Sequence, residues 1–183
     1  MIVRPKFIAN KKPKPSFRPD IICKSIKDVQ YDYLKKHGIT TCFIDLDGTV
    51  VSRGTFQVDK DIAKTLLGSG LKIHIATNRP KSRSLKNLKQ DLHANTVIHP
   101  HGIFGKPSKR YYTNALKDLN LKPHEVVMIG DRYIQDMYGA NRAGIYSILV
   151  HKLGACKGRS DIYFSFLEKM FTHFISRKYK SLK

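Results

Sequence analysis

A chain of 183 residues, 41% of them apolar, suits one domain with its own core. It carries 34 lysines and arginines against 14 aspartates and glutamates, a formal net charge of +20, so a polyanion is the expected partner or substrate. No stretch approaches the ~20 apolar residues that a membrane span needs, and the start shows no signal-peptide pattern. Cys23, Cys42 and Cys156 are widely separated, with no CxxC pair or metal spacing. They read as reduced thiols, and the expected compartment is cytoplasmic, with a mitochondrial matrix as the secondary reading.

The positive charge gathers at the ends: residues 1–40 hold ten basic and three acidic side chains, and residues 151–183 hold eight and two. Pro5, Pro13, Pro15 and Pro19 punctuate the first stretch, so residues 1–16 read as an extended, mobile basic arm. Residues 25–37 place Ile26, Val29, Tyr33 and Leu34 at helical spacing between a capping Ser25 and a terminating Gly38. Cys42-Phe43-Ile44 is an apolar strand that ends in Asp45-Leu46-Asp47-Gly48-Thr49. A short polar excursion over residues 52–58 follows. Asp59 or Asp61 then opens a helix that closes at Gly68-Ser69-Gly70.

The second strand, residues 71–76, stops at Thr77-Asn78-Arg79-Pro80. A helix over 82–92 carries Leu85, Leu88 and Leu92 on one face, and a short strand lies near 96–98. Pro107-Ser108 begins a further helix with Tyr111, Tyr112, Ala115, Leu116 and Leu119 inward. A buried strand over 125–129 stops at Gly130-Asp131, a helix spans 136–143, and the last strand covers 145–150. Strands alternating with helices predict an α/β fold: a Rossmann-like three-layer α/β/α sandwich around a mainly parallel sheet. Residues 17–152 would form this domain, and 153–183 a C-terminal basic amphipathic helix.

Ligands of such sheets sit beyond the C-terminal ends of the strands. Asp45, Asp47, Thr77, Asn78 and Asp131 all follow a strand end, so they share one rim with Asp136 and Lys106. Carboxylates able to seat Mg²⁺, a lysine, a hydroxyl and an amide are the parts of a phosphoryl-transfer site, where one carboxylate can attack phosphorus. Each part has a plainer use alone. Asp-Gly closes turns, Thr77 and Asn78 suit a turn, Lys106 suits a solvated surface, and Asp136 suits a helix cap.

Taken in order, Asp45-Leu-Asp-Gly-Thr49, Thr77-Asn78, Lys106-Pro107 and Gly130-Asp131-Arg-Tyr-Ile-Gln-Asp136 resemble the four motifs of the haloacid dehalogenase (HAD) superfamily of phosphatases. Residues 130–150 narrow the resemblance to its class III, capless, YqeG-type members, related to phosphatidylglycerophosphate phosphatases; Gly48 departs from the Asn usual there. The resemblance implies that Asp45 is the nucleophile and Asp47 the general acid and base, its backbone carbonyl also touching Mg²⁺. It implies that Thr77 and Lys106 hold phosphoryl oxygens with support from Asn78, and that Asp131 and Asp136 complete the metal site.

The gaps from Thr49 to Thr77 and from Thr77 to Lys106 span 28 and 29 residues, too few to hold a cap domain besides the core elements. An open site suits the end of a large substrate. Residues 161–179, with Tyr163, Phe164, Leu167, Met170, Phe171, Phe174 and Ile175 on one face and basic residues at the end, suit either packing on the domain or peripheral contact with an anionic membrane. The expected function is therefore Mg²⁺-dependent phosphomonoester hydrolysis, with phosphatidylglycerophosphate as substrate in phospholipid metabolism. The alternatives are phosphate removal from nucleic-acid ends or another phosphorylated substrate, and a basic RNA- or ribosome-binding protein built on a HAD core. The oligomeric state is left open.

Overall fold

The computed structural model describes residues 11–53 and 55–154. Residues 1–10 and the C-terminal helix expected over 161–179 lie outside the described residues. Six strands form one fully parallel sheet: β1 (Ile21–Cys23), β2 (Thr41–Ile44), β3 (Lys72–Ala76), β4 (Thr96–Ile98), β5 (Val126–Gly130) and β6 (Tyr146–Val150). Their order is β1-β6-β5-β2-β3-β4. The chain runs outward from β2 through β3 to β4, then returns to the other side of β2 at β5. That reversal opens a crevice beyond the C-terminal ends of β2 and β5.

Alternation along the strands divides the core into two layers. Cys42, Ile44, Ile73, Ile75, Val127 and Ile129 face α1 (Tyr31–Lys36), α2 (Lys60–Gly68) and α3 (Arg83–Asp91). Phe43, Ala76, Val126 and Met128 face α4 (Lys109–Asp118) and α5 (Gly139–Ala143). Helices cover both faces, so β2 and β5 are buried throughout and read as continuous apolar runs. Among the described residues no separate cap interrupts the core elements.

Four local features differ from the sequence expectation. Strand β1 is one; it pairs Ile21–Cys23 with Ile148–Val150 of β6. The helix expected over 25–37 is another. Ser25 and Asp28 close a capping box around a single turn, Ile26–Asp28. Val29 is then extended (φ −73°, ψ 127°), and α1 starts at Tyr31.

The helix expected at 136 begins earlier, as a wide turn over Tyr133–Tyr138 in which the amides of Asp136 and Met137 both donate to the Arg132 carbonyl. Finally, residues 11–16, the described part of the basic arm, are tied to the domain by hydrogen bonds where the sequence suggests a mobile segment. The Lys11 ammonium pairs with Asp20 and donates to Asn141 Oδ1 (2.6 Å) and the Ile145 carbonyl (2.7 Å). Asn141 Nδ2 donates in turn to the carbonyls of Ser16 (2.6 Å) and Arg18 (2.9 Å).

Candidate active site

Asp45 is the first residue beyond β2, and its amide still donates to the Ile129 carbonyl of β5 (2.9 Å), which fixes its backbone at the crevice. The chain then folds sharply at Gly48 (φ +85°), a conformation that favours glycine. A Cβ at this position would lie 2.6 Å from Asp131 Oδ2, so the turn and the carboxylate can approach only because glycine is there. Asp131 follows β5, and Thr49 Oγ1 donates to its Oδ1 (3.3 Å).

The wide turn after Asp131 brings Asp136 back beneath the strand end, where it is fully buried. Gly130 is the complement of that return: a Cβ there would stand 2.4 Å from Asp136 Cγ. One carboxylate oxygen each from Asp45, Asp131 and Asp136 lies within 4.8 Å of the others, and all three residues are buried.

Lys106 reaches into this cluster from the loop between β4 and α4. Its ammonium donates to Asp45 Oδ1 and to Asp136 Oδ1, the latter at 2.7 Å. Burial acts to lower the Lys106 pKa, but Asp136 and Asp45 outweigh it and hold the group well above its ordinary value. Burial likewise pushes Asp136 up, to about 7, against the pull of Lys106 and with a further push from Asp45. Asp45, Asp131 and Asp136 each offer one buried carboxylate oxygen at this point. A small, oxygen-only donor set of this kind suits a divalent cation, so these residues fit a metal site.

The remaining expected residues surround this centre without joining the carboxylate cluster. Thr77 is buried just beyond β3, and its hydroxyl accepts from the Arg79 amide (3.1 Å). Asn78 Nδ2 donates to the Lys106 carbonyl (2.9 Å) and Asn78 Oδ1 accepts from the Lys106 amide (2.8 Å), so this side chain holds the lysine's loop. Asp47 turns to Arg79: Nε donates to Oδ2 (2.8 Å) and Nη2 to Oδ1 (2.5 Å). The sequence places Arg79 only in a strand-ending turn. The available signal was its position, two residues after Thr77 on the same rim as an acid.

A family profile described as HAD-hydrolase-like matches residues 103–160, which include Lys106, Asp131 and Asp136. The chain is 26% identical over 148 residues to the Probable phosphatase YqeG of Bacillus subtilis, covering 79% of this chain and 83% of that protein. A shorter match, 44% over 48 residues, is to a phospholysine phosphohistidine inorganic pyrophosphate phosphatase of Danio rerio; it covers 26% of this chain and 18% of that one. Two crystal structures of uncharacterized proteins share the fold. One, from Listeria monocytogenes, superposes with a TM-score of 0.54 at 20% identity over 66% of this chain and 85% of its own. The other, from Corynebacterium glutamicum, does so with a TM-score of 0.50 at 17% identity over 74% and 96%.

Proposed function

We propose that this chain, which belongs to the HAD-like hydrolases and is a phosphatase, works with Mg²⁺ through a phosphoryl group carried on Asp45. The observation that carries the reading is the position of Lys106, whose ammonium bridges Asp45 and Asp136 in a buried cluster completed by Asp131. A lone metal turn has no use for a buried lysine, whereas a site that receives a phosphate dianion needs one. The side chains of Asp45, Asp131 and Asp136 would hold Mg²⁺, with the backbone carbonyl of Asp47. Held there, it would supply positive charge toward the phosphoryl oxygens.

The chain's own residues supply the rest. A carboxylate oxygen of Asp45 forms a bond to phosphorus. The phosphorus–ester bond breaks, its electron pair stays on the departing oxygen, and Asp47 gives that oxygen a proton. Asp47, now a carboxylate, takes a proton from water as the water oxygen bonds to phosphorus. The phosphorus–Asp45 bond breaks, which restores Asp45 and frees phosphate. Lys106 and Thr77 hold the phosphoryl oxygens, and Asn78 keeps Lys106 in place.

The substrate we assign is a phosphorylated lipid head group, phosphatidylglycerophosphate. Three features support it. The chain is strongly basic. No cap closes the site among the described residues. Phe56 and Ile103 expose large apolar side chains, at 52% and 91%, on the loops that follow β2 and β4. No helix among the described residues is long and apolar enough to cross a membrane, and the contact with lipid that we propose is peripheral. Phosphate release with Mg²⁺ is to be compared on phosphatidylglycerophosphate vesicles and on oligonucleotides with terminal phosphates. Faster release from vesicles is the expected result; release from oligonucleotides alone would transfer the site to nucleic-acid ends. Tight, salt-sensitive RNA binding that survives Asp45→Asn, without turnover on either, would favour a binding protein.

A further inference from the structure

The two proton transfers described above make a demand that the carboxylate cluster does not meet. Asp47 has to give and then take a proton at the same place, which requires its carboxylate to keep one orientation through both half-reactions. The cluster is built from Asp45, Asp131 and Asp136. Asp47 is held instead by the loop after β3, through the paired hydrogen bonds from Arg79 Nε and Nη2. Such a planar fork fixes a carboxylate in angle as well as in position.

Arg79 is itself restrained from three directions. Its amide donates to the Thr77 hydroxyl (3.1 Å), Nη2 also donates to the Thr55 carbonyl (3.3 Å), and the Phe56 ring covers the guanidinium at 4.8 Å from the ring centroid. Thr55 and Phe56 belong to the polar excursion that leaves the Asp45–Thr49 turn, so this segment roofs the pair. The side chains of Arg79 and Asp47 are only 18% and 27% exposed. The fork takes one lone pair on each Asp47 oxygen and leaves the other for proton traffic. Arg79 Nη1 is buried with no hydrogen-bond partner among the described residues, a feature that a residue kept for stability alone would not favour.

We propose that Arg79 is a positioning residue for Asp47: its fork orients the carboxylate for both proton transfers, and Phe56 ties that orientation to the segment above. The inference rests on the phosphatase reading. Its test is Arg79→Gln, Arg79→Lys and Phe56→Ala, assayed on two aryl esters. Phenyl phosphate has a leaving oxygen that needs a proton, whereas p-nitrophenyl phosphate has one that leaves without help.

Arg79→Gln is expected to lower kcat/KM on phenyl phosphate by about tenfold or more, and by much less on p-nitrophenyl phosphate. Inhibition by inorganic phosphate should stay within about twofold of the parent, because Arg79 is not assigned to the phosphoryl group. Arg79→Lys should recover part of the loss, and Phe56→Ala, half exposed and safe for folding, should move the ratio the same way by less. Equal losses on the two esters, weakened phosphate inhibition alone, or unchanged kinetics would overturn the proposal.

If the parent enzyme releases phosphate from neither ester, it is the phosphatase reading that fails, and a nitrogen–proton correlation spectrum then decides the clamp. An Arg79 Nε–H peak protected from exchange in the parent and lost in Asp47→Ala supports it. An unprotected peak in the parent refutes it.

Discussion

Asn78 grips Lys106 by its backbone on both sides, donating to its carbonyl at 2.9 Å and accepting from its amide at 2.8 Å. The residue next to Thr77 therefore acts on the lysine of a different loop, 28 residues away. A Cβ on Gly105 would lie 2.6 Å from Asn78 Oδ1, so the residue before the lysine must be small for the grip to form. Asn78→Ala removes both bonds and is expected to cost about 1–2 kcal/mol in denaturant unfolding, with a larger fall in turnover as Lys106 loses its place. Asn78→Asp keeps the acceptor and loses the donor, so it should fall between the two. Turnover unchanged in Asn78→Ala would remove the residue from the account.

Gly130→Ala tests how Asp136 enters the cluster. The added methyl would stand 2.4 Å from Asp136 Cγ, so the carboxylate has to leave its contacts with Lys106 Nζ and the Arg132 amide. A loss of about 1–3 kcal/mol is expected, as for other overpacked buried positions. The rise in melting temperature on adding Mg²⁺ should shrink with it. An undiminished rise would mean that Asp136 has no part in holding the ion.

The pH dependence of the metal-free protein carries a second signature of Asp136. Its folded pKa is raised from the ordinary value to about 7, so between about pH 4 and pH 7 the folded state keeps a proton that the unfolded chain has released. This group's contribution to stability therefore falls as pH rises through that window. Melting temperatures of the parent and of Asp136→Asn, followed across the window without metal, should diverge with that sign. Added Mg²⁺ should restore the parent most at the alkaline end.

His74 works in the opposite sense. It is buried against Phe43, with ring centroids 6.0 Å apart, and burial, helped by Lys72 and Lys89, lowers its pKa. The unfolded chain then takes up a proton near pH 6.5 that the folded chain refuses until lower pH, so this contribution is complete above that value and drains away as pH falls. His74→Gln should flatten the acid limb of the stability curve. An unchanged limb would assign the acid sensitivity to other groups.

These relationships differ in how far the sequence discloses them. Asp45 and Asp131 stand out because each follows a short apolar run, and Thr77 because it follows the alternating Leu71–Ala76 segment; a parallel sheet puts all such strand ends on one rim. Lys106 is legible through its place before Pro107 and a helix. The partnership of Arg79 with Asp47 is not, because it joins two loops 32 residues apart whose contact depends on β2 and β3 being neighbours. Strand β1 is hidden for a related reason. Three residues carry no period, and it exists because Asp20 accepts from the Ser147 amide (2.8 Å) and hydroxyl (2.9 Å), and its own amide donates to the Ser147 carbonyl (2.9 Å), seating it on β6. Residues 25–37 misread as one helix because the capping box at Ser25 and Asp28 is satisfied by a single turn, after which helical spacing persists without helical backbone. The attachment of residues 11–16 is hidden because two of the Lys11 anchors, Asn141 and the Ile145 carbonyl, come from far along the chain.

The central claim is that Asp45 carries the phosphoryl group. The direct measurement is mass analysis of acid-quenched enzyme during turnover of p-nitrophenyl phosphate with Mg²⁺, in the parent and in Asp45→Asn. One phosphoryl group is expected on the peptide containing Asp45 in the parent, and neither adduct nor turnover in a folded Asp45→Asn. A phosphoryl group on another residue, or parental turnover in Asp45→Asn, would contradict it.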